Sequence, residues 1–228
     1  MKIACINCGQ KYPETGVLYK CPHCDGIFDL SEPIKFGRVD HSQPGIWRYA
    51  SSFDLDAAPV SLGEGNTPFV PAKVFGREVF FKCEYTNPSG SFKDRGSALL
   101  SSFLLSRGVS EAIEDSSGNA GASFAAYAAR AGIKARIFVP ESASGPKRQQ
   151  IEMYGAELVR VPGPRANAAE AVRKAAESGQ VYASHAYLPF NIPGYATCAY
   201  EIVEQLGRAP GGDSSSARAT STWVSGKG

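Results

Sequence analysis

Asn87-Pro88-Ser89-Gly90-Ser91-Phe92-Lys93-Asp94-Arg95 lies between two segments of opposite character. Before it, Glu78-Val79-Phe80-Phe81-Lys82-Cys83-Glu84 has the β-branched and aromatic content of a strand. After it, Phe92 to Arg107 reads as a helix ended by Gly108. The turn residues between them deliver a lysine to the first turn of that helix, where backbone N–H groups lack helical partners. Taken alone, a Lys-Asp-Arg run at a helix start is most often a solvated charge cluster.

Further along the chain, helices and strands alternate. Ala120 to Ala131 is an alanine-rich helix stopped by Gly132, and Ala135 to Val139 a short buried strand closed by Pro140. Lys147 to Tyr154 is a helix stopped by Gly155, Glu157 to Val161 a strand, and Ala166 to Ser178 a helix with Gly179 beyond it. A last helix spans Tyr200 to Gly207. Short, glycine-marked connections between such elements predict an α/β fold with a parallel sheet covered by helices. Ser116-Ser117-Gly118-Asn119-Ala120-Gly121 reads as a glycine turn, with no strand before it, that opens a helix. It offers hydroxyls, an amide and free N–H groups to an anion, or serves only as an N-cap through Ser116, Ser117 or Asn119. Gly63-Glu64-Gly65-Asn66-Thr67-Pro68 is a third loop of this kind.

From Pro210 the pattern breaks into Gly211-Gly212-Asp213-Ser214-Ser215-Ser216 and a run without periodicity. Residues 210–228 are expected to be a non-native or disordered tail, the product of a reading-frame change.

Towards the N-terminus, residues 31–70 are rich in Pro, Ser, Gly and aromatics and read as an extended, aromatic-anchored lead-in. Residues 1–30 hold Cys5-x-x-Cys8 and, after a gap of twelve residues, Cys21-x-x-Cys24. Two such turns point four thiolates at one ion and make a closed, structural tetrahedral site, with zinc favoured over iron or redox-active dithiols. Gly9 and Gly26 follow the two pairs, where a turn needs a permissive backbone. His23 is expected to face solvent, since a fifth ligand has no place. Replacing Cys21 by Ser is expected to unfold this head while sparing the lysine chemistry. Cys83 and Cys198 read as buried small apolar residues.

Of the 228 residues, 43% are hydrophobic and 20% charged, as in an ordinary globular protein, and the net charge of +2 argues against a nucleic-acid or membrane partner. Apolar stretches such as Ala122 to Ala129 are far shorter than a membrane span. Met1-Lys2-Ile3-Ala4-Cys5 carries no apolar leader, so a cytoplasmic protein is expected.

Taken together, the motifs carry a resemblance. Gly63-Glu64-Gly65-Asn66-Thr67-Pro68, Lys82-x-Glu84, the Asn87–Arg95 stretch and Ser116-Ser117-Gly118-Asn119-Ala120-Gly121, in this order, resemble the threonine synthase branch of the fold-type-II pyridoxal-phosphate enzymes. Tyr154-Gly155-Ala156 agrees as well, and so does Pro189-Phe190 followed by Gly194, Thr197 and Glu201-Ile202. The resemblance covers residues 60–207, and several threonine synthases also carry a four-cysteine zinc ribbon in front. It implies a zinc ribbon over 1–30, the lead-in over 31–70, and the N-terminal part of a fold-type-II enzyme over 71–209, with the C-terminal half missing.

The implied reaction is the lyase conversion of O-phosphohomoserine and water into threonine and phosphate, with pyridoxal 5'-phosphate as cofactor and a homodimer in the full-length family. Lys93 matches the lysine that forms the Schiff base and later shuttles protons. Asn119 matches the residue that hydrogen-bonds the cofactor ring hydroxylate. Ser116, Ser117 and the amides around Gly118 match the substrate-carboxylate loop, Thr67 and Ser91 line the substrate side, and Asp94 and Arg95 pair locally to fix the helix. Two departures stand out: neither the glycine-rich phosphate loop nor the pyridine-nitrogen partner is recognisable, and Leu188 occupies the position of a usual Asn. A cysteate synthase, a threonine dehydratase-like enzyme, a zinc-ribbon interaction protein without catalysis and an inactive truncated product remain alternatives.

Overall fold

A computed structural model describes residues 1–207. The expected tail over 210–228, and with it the reading-frame expectation, lies outside the described residues.

Two short strands, β1 (Ile3–Cys5) and β2 (Phe28–Leu30), pair antiparallel and carry the cysteine turns between them. The lead-in is less extended than expected: Gly45–Ser52 forms a 3-10 helix. Its Ile46, Trp47 and Tyr49, with Phe53 and Val60, pack against Ala98, Leu99, Ala126 and Tyr127, so aromatic burial anchors it. A hairpin follows, β3 (Phe69–Val74) with β4 (Arg77–Lys82). The expected strand at 78–84 is therefore real, but it pairs with its own neighbour and stays out of the parallel sheet.

The helix expected after the lysine turn is α1 (Lys93–Ser106). Next come β5 (Glu111–Glu114), α2 (Asn119–Ala131), β6 (Lys134–Pro140), α3 (Pro146–Met153), β7 (Glu157–Val161), α4 (Arg165–Glu177) and α5 (Ile192–Leu206). The sheet is parallel in the order β5-β6-β7. β5 has no counterpart in the sequence reading, and it corrects one expectation, since the Ser116–Gly121 turn does follow a strand. α5 also begins eight residues before the expected Tyr200, because Pro193 at its first turn and Gly194 in its interior hide its helical pattern.

The main apolar cluster joins Leu100, Phe103, Phe124, Ile137 and Val139 to Ile3, Cys5, Cys21 and Phe28 of the cysteine head. Tyr12 bridges the two, its ring 4.8 Å from Phe28 and 5.0 Å from Phe190, which stacks on Phe103 at 3.4 Å. No described helix is long and apolar enough to cross a membrane.

Candidate active site

Lys93 opens α1, just after a turn in which Gly90 adopts φ +82°, a conformation that favours glycine. The turn is pinned from two sides. Asp94 accepts hydrogen bonds from the Ser89 amide at 2.6 Å and from the Ser89 hydroxyl. Lys147 Nζ and Gln150 Nε2 of α3 donate to the Ser89 carbonyl at 2.8 and 3.0 Å. Held this way, Lys93 Nζ lies 4.8 Å from the centroid of Phe92 and 5.2 Å from that of Tyr195. Burial lowers its pKa, opposed by the negative charge of Glu114.

Tyr195 reaches this position through a close crossing of α1 and α5. A methyl group at Gly96 would overlap the Tyr195 ring, and one at Gly194 would overlap the Arg95 carbonyl. Lys93 lines a cavity of about 400 Å³ together with Tyr195, His185, Asn191 and Asp29. Glu114, at the end of β5, accepts a hydrogen bond from the Ser116 amide at 2.5 Å and pairs with His185 Nδ1 at 2.6 Å. Sequence reasoning missed Glu114, His185 and Tyr195. No motif marks them, and only the strand end and the α1–α5 crossing gather them around the lysine.

The expected Ser116–Gly118 loop sits at the start of α2, and the helix has no side-chain cap, so its first N–H groups remain available to a ligand. Gly121 is required there because a methyl group would overlap the Ser116 carbonyl. Asn119 is exposed in the first turn. Ser91 is buried, and its hydroxyl has no hydrogen-bond partner. A polar ligand would satisfy that orphan oxygen. A desolvated amine, an exposed amide, an uncapped helix start and an unpaired buried hydroxyl are a donor set that fits pyridoxal phosphate.

Two expectations are corrected. Arg95 does not pair with Asp94; it is fully buried and bonds Glu84 at 2.7 and 2.8 Å, Glu201 at 2.9 and 2.8 Å, and Thr197 at 2.9 Å. Lys82 adds a second cation, 2.7 Å from Glu201. Thr67 belongs to this network and not to the Lys93 cavity: its buried hydroxyl donates to Glu84 at 2.7 Å. The neighbouring Glu64 is likewise structural, accepting from Trp47 Nε1 at 2.9 Å and the Tyr127 hydroxyl at 2.8 Å.

In the head, the Sγ atoms of Cys5, Cys8, Cys21 and Cys24 all lie within 4.8 Å of one another. The Cys5–Cys24 and Cys8–Cys21 separations are 3.5 and 3.7 Å. Four thiolates about 2.3 Å from one tetrahedral ion would stand about 3.8 Å apart, so the cluster fits such an ion. His23 is exposed, as expected. At the second turn the left-handed residue is Asp25, φ +56°, while Gly26 leaves room that Cys5 Sγ and Asn7 would deny a side chain.

The profile of the family described as pyridoxal-phosphate dependent enzyme matches residues 60–213. A threonine synthase of Methanosarcina acetivorans is 31% identical over 216 residues, 90% of this chain and 53% of that protein. One from Bacillus sp. is 41% identical over 171 residues, 72% of this chain and 48% of that protein. The chain thus spans about half the length of the curated relatives it matches. Among solved structures, a pyridoxal 5'-phosphate-dependent aspartate racemase superposes with TM-score 0.57 at 32% identity, covering 62% of this chain and 46% of that one. A cysteine synthase from Entamoeba histolytica gives TM-score 0.57 at 28% identity, over 63% and 47%.

Proposed function

The chain belongs to the pyridoxal-phosphate dependent enzymes, and from that premise we propose that it serves threonine synthase chemistry, the conversion of O-phosphohomoserine and water into threonine and phosphate. The observation that carries this reading is the half-buried Lys93, its pKa lowered by burial, lining a cavity of about 400 Å³ with Tyr195 and His185, the latter paired with Glu114 at the end of β5. Pyridoxal phosphate, when bound, supplies an electron sink for the pair left behind when a substrate C–H bond breaks.

Lys93 holds the cofactor through its amine and carries protons to and from substrate carbons, for which a partly neutral amine near pH 7 is needed. Asn119 hydrogen-bonds the ring oxygen. Ser116, Ser117 and the amides around Gly118 hold the substrate carboxylate, favoured by the helix dipole. Ser91 offers its free hydroxyl to the same ligands. Thr67 is left out of this set, its hydroxyl already engaged by Glu84. Cys5, Cys8, Cys21 and Cys24 hold one structural zinc ion, and the protein works in the cytoplasm on a small amino-acid phosphate, as a homodimer when the relatives' full length is present.

The test is a chimera that joins residues 1–207 to the remaining half of the Methanosarcina acetivorans relative. It should release threonine and phosphate from O-phosphohomoserine. Production of cysteate from O-phosphoserine and sulfite, with no threonine formed, would overturn the assignment in favour of a sister activity.

A further inference from the structure

We infer that the cysteine head is part of the active site, with Ile27, Phe28 and Asp29 forming one wall of the Lys93 cavity and deciding what reaches the lysine. The inference rests on Lys93 being the reactive amine.

All three residues line the cavity that contains Lys93, His185, Asn191 and Tyr195. They are tied directly to the cysteine turns. In the β1–β2 pairing, Phe28 stands opposite Cys5 and Asp29 opposite Ala4. The Ile6 amide donates to the Ile27 carbonyl at 3.1 Å, and the Cys21 amide to the Gly26 carbonyl at 2.7 Å. An ion gathering the four thiolates therefore fixes the strand that makes the wall. On the other side, the Phe28–Tyr12–Phe190–Phe103 aromatic series anchors that strand onto α1. The wall is packed into the core of the domain and is not a flap laid over it.

The three side chains divide the work. Phe28 is buried and fixes the wall; Ile27 presents an apolar face, 38% exposed; Asp29 brings an exposed carboxylate. A carboxylate at a cavity wall concentrates cations and repels anions within about a Debye length, roughly 8 Å at physiological salt. On this side the site favours a substrate's cationic group, such as the ammonium of an amino acid, and disfavours a second anion.

The test reads access to Lys93 and needs no turnover. The metal-loaded chain is treated with anionic trinitrobenzenesulfonate or with neutral acetic anhydride, and modification is followed peptide by peptide, with exposed Lys73 as the internal control. Asp29→Lys should raise the anionic reagent's rate at Lys93 severalfold more than the neutral reagent's at low salt, with a smaller excess at high salt, and leave Lys73 unchanged. Phe28→Ala should speed both reagents at Lys93. If Asp29→Lys leaves the ratio of anionic to neutral rates at Lys93 unaltered in a folded chain, the inference is wrong, whatever Phe28→Ala does to folding. Trapping pyridoxal phosphate on Lys93 in the unaltered chain separately tests the reading of the lysine itself.

Discussion

Lys93 stands between two opposed influences: burial lowers its pKa and the Glu114 carboxylate raises it. Replacing Glu114 by Gln removes the second and keeps hydrogen-bonding groups for the Ser116 amide and His185. The amine's titration should then move to lower pH, with a larger neutral fraction at pH 7. The pH dependence of Lys93 modification checks this, and a midpoint that stays put or rises would contradict it. The sign for stability follows by linkage. With the folded pKa below the ordinary 10.5, the unfolded chain binds more protons, so this residue's cost to folding is fully present below the folded value and disappears as pH approaches 10.5. The lysine was legible because turn, helix start and Lys-Asp-Arg are contiguous. Glu114 and His185, 71 residues apart, left no local trace.

The elements β4, α1 and α5 are joined by the fully buried Arg95 and Glu201 with the partly buried Lys82 and Glu84. The sequence suggested a local Asp94–Arg95 pair, yet neighbours on a helix point in different directions. Thr197 and Glu201 do share a helix face four residues apart, and that spacing is the signal that could have found Arg95's partner. Burial pushes the Glu201 carboxyl up, but hydrogen bonds and charge from Arg95, with help from Lys82, outweigh it and hold the group at about 2. A carboxyl lowered from 4.5 in this way stabilises the fold above pH 4.5, and that contribution is lost as pH falls through about 2. Glu201→Gln should therefore destabilise the chain at pH 7 by about 3–5 kcal/mol, since it leaves buried cations short of a partner. It should also flatten the acid dependence below pH 4.5. Urea denaturation across pH measures both, and an unchanged acid slope would refute the account.

At the scale of the whole molecule, the sequence shows two blocks, a cysteine head and a lysine-bearing α/β unit, and suggests that Cys21→Ser would harm only the first. Cys-x-x-Cys spacing and strand–helix alternation are local signals, so both blocks could be read. That the head shares a core with α1 and walls the lysine cavity depends on Tyr12, Phe28 and Phe190 meeting in space, which no spacing announces. The expectation for Cys21→Ser is therefore revised: loss of the head should also open the lysine site. The proposed chemistry as a whole requires Lys93 to be the amine that takes the cofactor. Its most direct test is to incubate the chain with pyridoxal phosphate, reduce with borohydride and map the labelled peptide. The pyridoxyl group should be found on Lys93, and label on Lys73, Lys82 or Lys147 with none on Lys93 would contradict it.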